Sequence, residues 1–278
     1  EHIDYHGSLE RYWEQKTKLV RDLSPAATAV LNGDEPTILA LGEKTAADSL
    51  SYSLKSNPAP IQITDIDLSA GTGNFRYRVS APVVSRNFTL APCDHQFRLK
   101  VLGLHNIYNA AVAITVGKLC QVPDDQIQAA LASFGGVERR FQLIYDREFK
   151  VIDDHFANVG NIDITLATLG LMKYNLLHLL IAIRGSRGSV VNRENTETLI
   201  KWRPLLPLGE LVLTDSVEFA GVHDVVSPEE RTAVLGLLAK AGVRYRHFPR
   251  LTEAVLAILT AAGPGDVVLM GGCQGLDH

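Results

Sequence analysis

From residue 149 onward the apolar positions alternate between short continuous runs and longer periodic stretches. The runs FKVID (149–153), LLHLLIAI (176–183), ELVLTD (210–215), VRYRHF (243–248) and GDVVLMGG (265–272) have the length and composition of strands. Between them, segments near 160–173, 192–203, 227–241 and 251–262 carry apolar residues at helical spacing. Strands separated by helices of this length form βαβ units, which predicts a mostly parallel sheet with helices on both faces. Ser227 followed by Pro228 supplies an N-cap and a first-turn residue for the third of these helices.

The first half is less regular. A helix near 8–22 is followed by a strand at TAVLN (28–32), and the short runs FRYRVS (75–80), FTLAP (88–92) and QFRLKVL (96–102) read as antiparallel strands. Helices at about 106–120 and 124–134 close this half, and FGGVERRF (134–141) offers Gly135 and Gly136 as a helix stop. The boundary placed there divides the chain into 1–138 and 139–278. The fold class is therefore α/β throughout, with a Rossmann-like, mostly parallel second domain.

Composition adds exclusions. A hydrophobic share of 46%, a charged share of 21% and 12 prolines describe an ordered globular chain, long enough for two domains. The 31 acids and 27 bases, a net charge of −4 with no block of one sign, exclude a surface that tracks nucleic acid. Apolar runs are strand-sized, well short of the ~20 residues that span a bilayer, so no membrane span is expected. Cys93, Cys120 and Cys273 are odd in number and widely spaced. That pattern suits neither a disulfide framework nor a zinc site and points to a reducing, cytoplasmic setting. The first residues lack the basic-then-apolar pattern of a signal peptide. LGEKT (41–45) looks like the end of a phosphate-binding loop but fails the motif, because Glu43 separates the glycine from the lysine and residue 37 is Thr.

The chain opens on EHIDYHGSLERYWEQK. On a helix starting near Ser8, Leu9, Tyr12, Trp13, Leu19, Val20 and Leu23 form one stripe, and Lys16 falls inside it. One explanation is a lysine whose stem packs while its head reaches water. The other is chemical: a lysine amine that takes up carbon dioxide becomes a carbamate, an oxygen donor suited to magnesium. His2 offers a second ligand.

This opening segment resembles the stretch that follows the nucleotide loop in the Mur ligases, ATP-dependent enzymes that add amino acids to the peptidoglycan precursor. It looks most like the branch that adds the third peptide residue. The resemblance implies that His2 is a magnesium ligand and Lys16 the carbamylated lysine. GLHNIYNAAVAITV (103–116) is similar to the family's Gly-x-His-Asn-x-x-Asn-Ala helix start, which places adenine contact on Asn106. Read from the residue alone, Asn106 is equally a helix cap. GVERRF resembles the family's interdomain arginine motif and assigns ATP phosphates to Arg140, where a surface charge pair is the alternative.

In an open α/β sheet, ligands bind beyond the carboxyl ends of the strands. Those ends carry Asp153-Asp154, RGSRG (184–188), Thr214-Asp215-Ser216 and GGCQG (271–275). By resemblance Asp154 contacts nucleotide, with helix capping as its alternative, and Asn158 holds the later turn position. Ala157 and Val159 depart from the family's usual His and Pro there. Arg184 and Arg187 form a candidate clamp for a substrate carboxylate or phosphate, with solvated loop arginines as the alternative, and Asp215 is a candidate substrate group. LTDSVEFAG (213–221) sits where diaminopimelate-adding members carry Asp-Asn-Pro-Arg, which is absent. Cys273 on its glycine-rich turn reads as a packed thiol rather than a nucleophile.

The resemblance implies a partial P-loop-type central ATPase domain over 1–138 and an acceptor-binding domain over 139–278. ATP and magnesium are the expected cofactors. The expected substrates are a carboxylate donor such as a UDP-muramoyl peptide and an amino-acid acceptor, joined through an acyl phosphate after domain closure. The family's Gly-Lys-Thr loop precedes the opening segment, so the chain is expected to be part of a longer ligase and inactive alone. The competing expectation is a non-catalytic Mur-like protein that binds a nucleotide or a partner.

Overall fold

The computed structural model describes residues 7–55, 58–69, 72–272 and 276. They divide into two compact units. The first comprises the chain up to Asp67 together with Thr72–Lys100 and His105–Phe134; the second is built from Leu68–Gly71, Val101–Leu104 and everything from Gly135.

The first unit contains β1 (Thr28–Asn32), β2 (Asp48–Ser53), β3 (Ile61–Asp67), β4 (Gly73–Val79), β5 (Val83–Val84), β6 (Thr89–Leu90) and β7 (Cys93–Leu99). Five of them form one sheet in the order β1-β2-β3-β4-β7, while β5 and β6 make a separate two-stranded ribbon. The sheet is mixed: β1, β2 and β3 run parallel, and β3, β4 and β7 antiparallel. Along β4 the alternation is that of a half-buried strand, with Phe75, Tyr77 and Val79 inward. Phe75 lies opposite Phe97 of β7, and the rings stack at 6.2 Å. The helix Leu104–Leu119 adds Ile107, Ala111 and Ile114 to this core, and the Tyr77 hydroxyl meets Thr115 Oγ1 at 3.0 Å. Neither β2 nor β3 is evident in the sequence pattern. DSLSYS and IQITDID carry too many polar residues to read as strands, and only Leu50, Tyr52, Ser53, Ile61 and Ile63 of them are buried.

The second unit contains β8 (Gln142–Asp146), β9 (Lys150–Asp154), β10 (Leu177–Ala182), β11 (Leu208–Thr214), β12 (Arg246–Phe248) and β13 (Val267–Gly271). They form one six-stranded sheet in the order β12-β11-β10-β13-β9-β8, parallel except for the edge pair β8 and β9. The four helices Val159–Gly170, Gly188–Trp202, Pro228–Lys240 and Leu251–Ala261 fall where helical spacing predicts them. Alternate residues of β10 serve opposite faces. Leu179 and Ile181 join one core with Ile162, Leu166 and Leu238, and Leu180 and Ala182 join another with Ala254 and Ile258. Burial on both faces is why the strand reads as an unbroken apolar run. Ser227 caps the third helix in a full capping box with Glu230.

At the amino end of this sheet His178 is buried, with Nε2 3.0 Å from Asp266 Oδ2. Its Nδ1 accepts the Glu210 N–H at 3.1 Å, so the ring proton sits on Nε2 and is given to the carboxylate. The ring lies flat against Gly209, where an added Cβ would meet His178 Cε1 at 2.7 Å. Both ring nitrogens being held, the imidazole cannot yield. Gly209→Ala is therefore expected to cost about 1–3 kcal/mol and lower the thermal midpoint by several degrees, measured by calorimetry.

Candidate functional site

The carboxyl edge of the second unit's sheet gathers the strongest polar chemistry. β9 ends on Asp153 and Asp154. Asp154 is 6% exposed. Its Oδ1 accepts from Phe141 N at 3.0 Å and from His155 N at 2.9 Å, and its Oδ2 from the Thr165 hydroxyl. Asp154 thus fastens the strand end to the turn before β8 rather than capping a helix. Asp153 receives Arg139 Nε at 3.2 Å, while its buried Oδ1 has no partner among the described residues. Burial pushes the Asp153 carboxyl above the ordinary carboxylate value, against the pull of the Arg139 guanidinium.

The two adjacent arginines are used differently. Arg139, in a left-handed conformation at φ 56°, also donates Nη2 to the Gly272 carbonyl at 2.6 Å and is tied into the edge. Arg140 is exposed and holds no ion pair among the described residues, which leaves its guanidinium open to a ligand. Arg184 donates to the Ala157 carbonyl. His155 sits among these groups: burial, then the charges of Arg140, Arg139 and Arg184, push its pKa below the ordinary imidazole value. The imidazole is thereby held neutral near pH 7, in a setting built for negative charge.

Asn158 is the N-cap of Val159–Gly170, its Oδ1 accepting from Asn161 N at 3.0 Å. Arg187 precedes the helix Gly188–Trp202, its guanidinium 3.7 Å from Asp224. Three backbone donors of this loop are already occupied. Glu230, 3% exposed, accepts from Ser186 N at 3.2 Å, Arg187 N at 2.8 Å and Gly188 N at 2.7 Å. A clamp made by Ser186 to Gly188 must therefore work through side chains. Asp215 is 3% exposed and engaged on both oxygens, by Arg231 Nε at 2.8 Å and by His247 Nε2 at 3.0 Å.

In the first unit, Asn106 is 9% exposed and lies inside the helix that starts at Leu104, so it is not the cap that its residue type suggests. Lys16 lies on the helix Leu9–Arg21, exposed, with Nζ 5.5 Å from the Tyr12 ring centroid. The apolar stripe around it is packed only in part. Leu9 is 60%, Trp13 38% and Leu19 81% exposed, and the buried residue of the helix is Thr17, bonded to the Trp13 carbonyl at 2.9 Å. Tyr12, Val20 and Leu23 are half-buried, and the helix packs on the segment Ala40–Lys44. His2 and Cys273 lie outside the described residues. The described residues contain no group of three or more metal-ligating side chains. Among the described residues no acid holds Lys16 Nζ in an ion pair.

Three residues that shape this edge, Arg139, His155 and Glu230, are not singled out by the sequence. The signal for His155 is its place directly after two aspartates at a strand end.

Residues 1–117 match the family model of the Mur ligase middle domain. The UDP-N-acetylmuramate–L-alanine ligase of Nitrosomonas eutropha is 25% identical over 274 residues, covering 96% of this chain and 55% of that protein. The UDP-N-acetylmuramoyl-L-alanyl-D-glutamate–2,6-diaminopimelate ligase of Bacillus velezensis is also 25% identical, over 281 residues, covering 98% and 52%. Among solved structures, MurF from Acinetobacter baumannii shares the fold with a TM-score of 0.71 at 18% identity, covering 98% of this chain and 54% of its own. MurC from Thermotoga maritima does so with a TM-score of 0.67 at 19% identity, covering 98% and 54%. The fold is the mixed α/β architecture of these structures, and residues 1–117 carry the likeness to the Mur ligase middle domain. The chain spans about half the length of the curated relatives it matches. Identity to the alanine-adding and diaminopimelate-adding relatives is the same, so it does not single out the branch that adds the third residue.

Proposed function

We propose that the protein carrying this chain is an ATP-dependent amide ligase that activates a carboxylate as an acyl phosphate and passes it to an amine, in the cytoplasm, on a peptidoglycan precursor. In this reading residues 1–138 are the latter part of the ATPase domain and 139–278 the acceptor domain. The observation that carries it is the arginine edge: Arg139 and Arg184 are committed to the protein, while Arg140 stands exposed beside the neutral His155. Phosphoryl transfer depends mainly on positioning and on neutralising developing charge, which a rigid, always-charged guanidinium supplies.

Asn106 would meet adenine and Arg140 the phosphates. With both oxygens engaged, Asp154 would act by holding the turn that carries Arg139 and Arg140, with Asn158 fixing the helix start behind it. His2 and carbamylated Lys16 would hold magnesium, which when bound supplies charge neutralisation at the phosphoryl group. The test is nucleotide affinity. Arg140→Ala should weaken MgATP binding about tenfold or more, the worth of a lost charged hydrogen bond, with an unchanged melting temperature. Unchanged affinity would remove Arg140 from the site. Ala157, in place of the family's usual His, favours a second reading, a non-catalytic nucleotide-binding protein; ATP binding without turnover would identify it.

A further inference from the structure

The segment after β11, Asp215 to Val225, combines a fixed backbone with an unusual surface. Ser216 heads it at φ 53°, a costly conformation for a non-glycine residue, with a buried Oγ that has no partner among the described residues. The carbonyl of Ser216 accepts from Phe219 N at 3.0 Å and Ala220 N at 2.8 Å. Glu218 accepts from Leu251 N and Thr252 N, both at 2.9 Å, and from Thr252 Oγ1 at 3.0 Å. At the far end the Asp224 carbonyl packs so closely on Gly185 that a Cβ there would lie 1.9 Å from it. The loop is a built element.

Its carboxylates are all spent within the protein. Asp215 holds Arg231 and His247, Glu218 holds the start of the helix Leu251–Ala261, and Asp224 faces Arg187 at 3.7 Å. Its large apolar residues point the other way energetically: Val217 is 55%, Phe219 39%, Val222 89% and Val225 55% exposed. Exposed apolar side chains clustered on an anchored loop at the ligand-binding edge of a parallel sheet mark a recognition surface. An acceptor with a second ammonium would find no carboxylate in this segment to receive it. An acceptor with a second carboxylate would have to displace Asp215 from Arg231 and His247, the other cations that this segment holds. Arg187, 39% exposed at its side chain, suits the one carboxylate that every α-amino acid carries.

We propose that the amine acceptor is an α-amino acid with an uncharged apolar side chain, and that Val217, Phe219 and Val222 set this preference. The inference rests on the ligase reading and narrows it. The experiment measures ADP release by the full-length protein with UDP-N-acetylmuramate or its L-alanyl-D-glutamyl derivative as donor. L-alanine, L-valine, D-glutamate, L-lysine and meso-diaminopimelate serve as acceptors. L-alanine or L-valine should give the highest kcat/KM, and Val222→Asp should shift the lysine-to-alanine ratio about tenfold toward lysine with unchanged melting temperature. Preference for a charged acceptor, or an unmoved ratio in Val222→Asp, would overturn the proposal while leaving the ligase intact. Absence of turnover with every acceptor would instead fell the ligase reading and the proposal with it.

Discussion

Lys16→Ala is expected to abolish turnover in the complete protein while leaving its stability within about 0.5 kcal/mol of the parent, because the side chain is exposed and its one described contact is with Tyr12. The separation of the two effects makes the variant informative. If Lys16 carries magnesium as a carbamate, its loss removes several kcal/mol of charge neutralisation, a rate loss of about a thousandfold or more. Short-chain carboxylates should restore part of that activity by supplying the missing oxygen donor. Lys16→Arg should fail, since a guanidinium takes up no carbon dioxide. Labelled carbon dioxide should give a carbamate carbon resonance in the parent that Lys16→Ala lacks. Full activity in Lys16→Ala would remove the residue from the metal site.

Glu230→Gln is expected to have the largest effect on stability of any single change at the sheet edge, about 2–4 kcal/mol. The carboxylate accepts from the backbone N–H groups of Ser186, Arg187, Gly188 and Ser227. An amide offers one accepting oxygen and turns an NH2 toward the remaining donors, leaving buried N–H groups unsatisfied. Burial raises the Glu230 pKa, but the four backbone donors outweigh it and bring it below its ordinary 4.5. A folded value below the unfolded one means that the stabilisation is present above about pH 4.5 and lost as pH falls through the lower folded value. Urea midpoints measured from pH 7 down to pH 3 should therefore decline in the parent and decline less in Glu230→Gln. The same variant should loosen the RGSRG loop and raise the acceptor KM.

The second unit was legible because its strands and helices announce themselves locally. LLHLLIAI is buried on both faces, and Ser227-Pro228 begins a helix where those residue types favour one. The first unit was harder, since β2 and β3 are set by pairing with neighbours rather than by their own polar sequences. The site was legible as motifs and opaque as contacts. Asp215 meets Arg231 and His247 from 16 and 32 residues away, a pairing that the folded topology creates and no local pattern encodes. For the same reason Arg139 and Arg140, indistinguishable in sequence, have opposite fates. The stripe of Leu9, Trp13 and Leu19 was legible as apolar, but spacing does not say what covers such a face.

A ligase of the proposed kind forms one amide for each ATP it consumes. The most direct measurement follows ADP and amide product together, from the full-length protein given MgATP, a UDP-muramoyl donor and an amino acid. Equimolar ADP and amide are expected, neither formed when donor or amine is omitted. ADP released without amide, or nucleotide bound with no ADP released, would overturn the ligase reading.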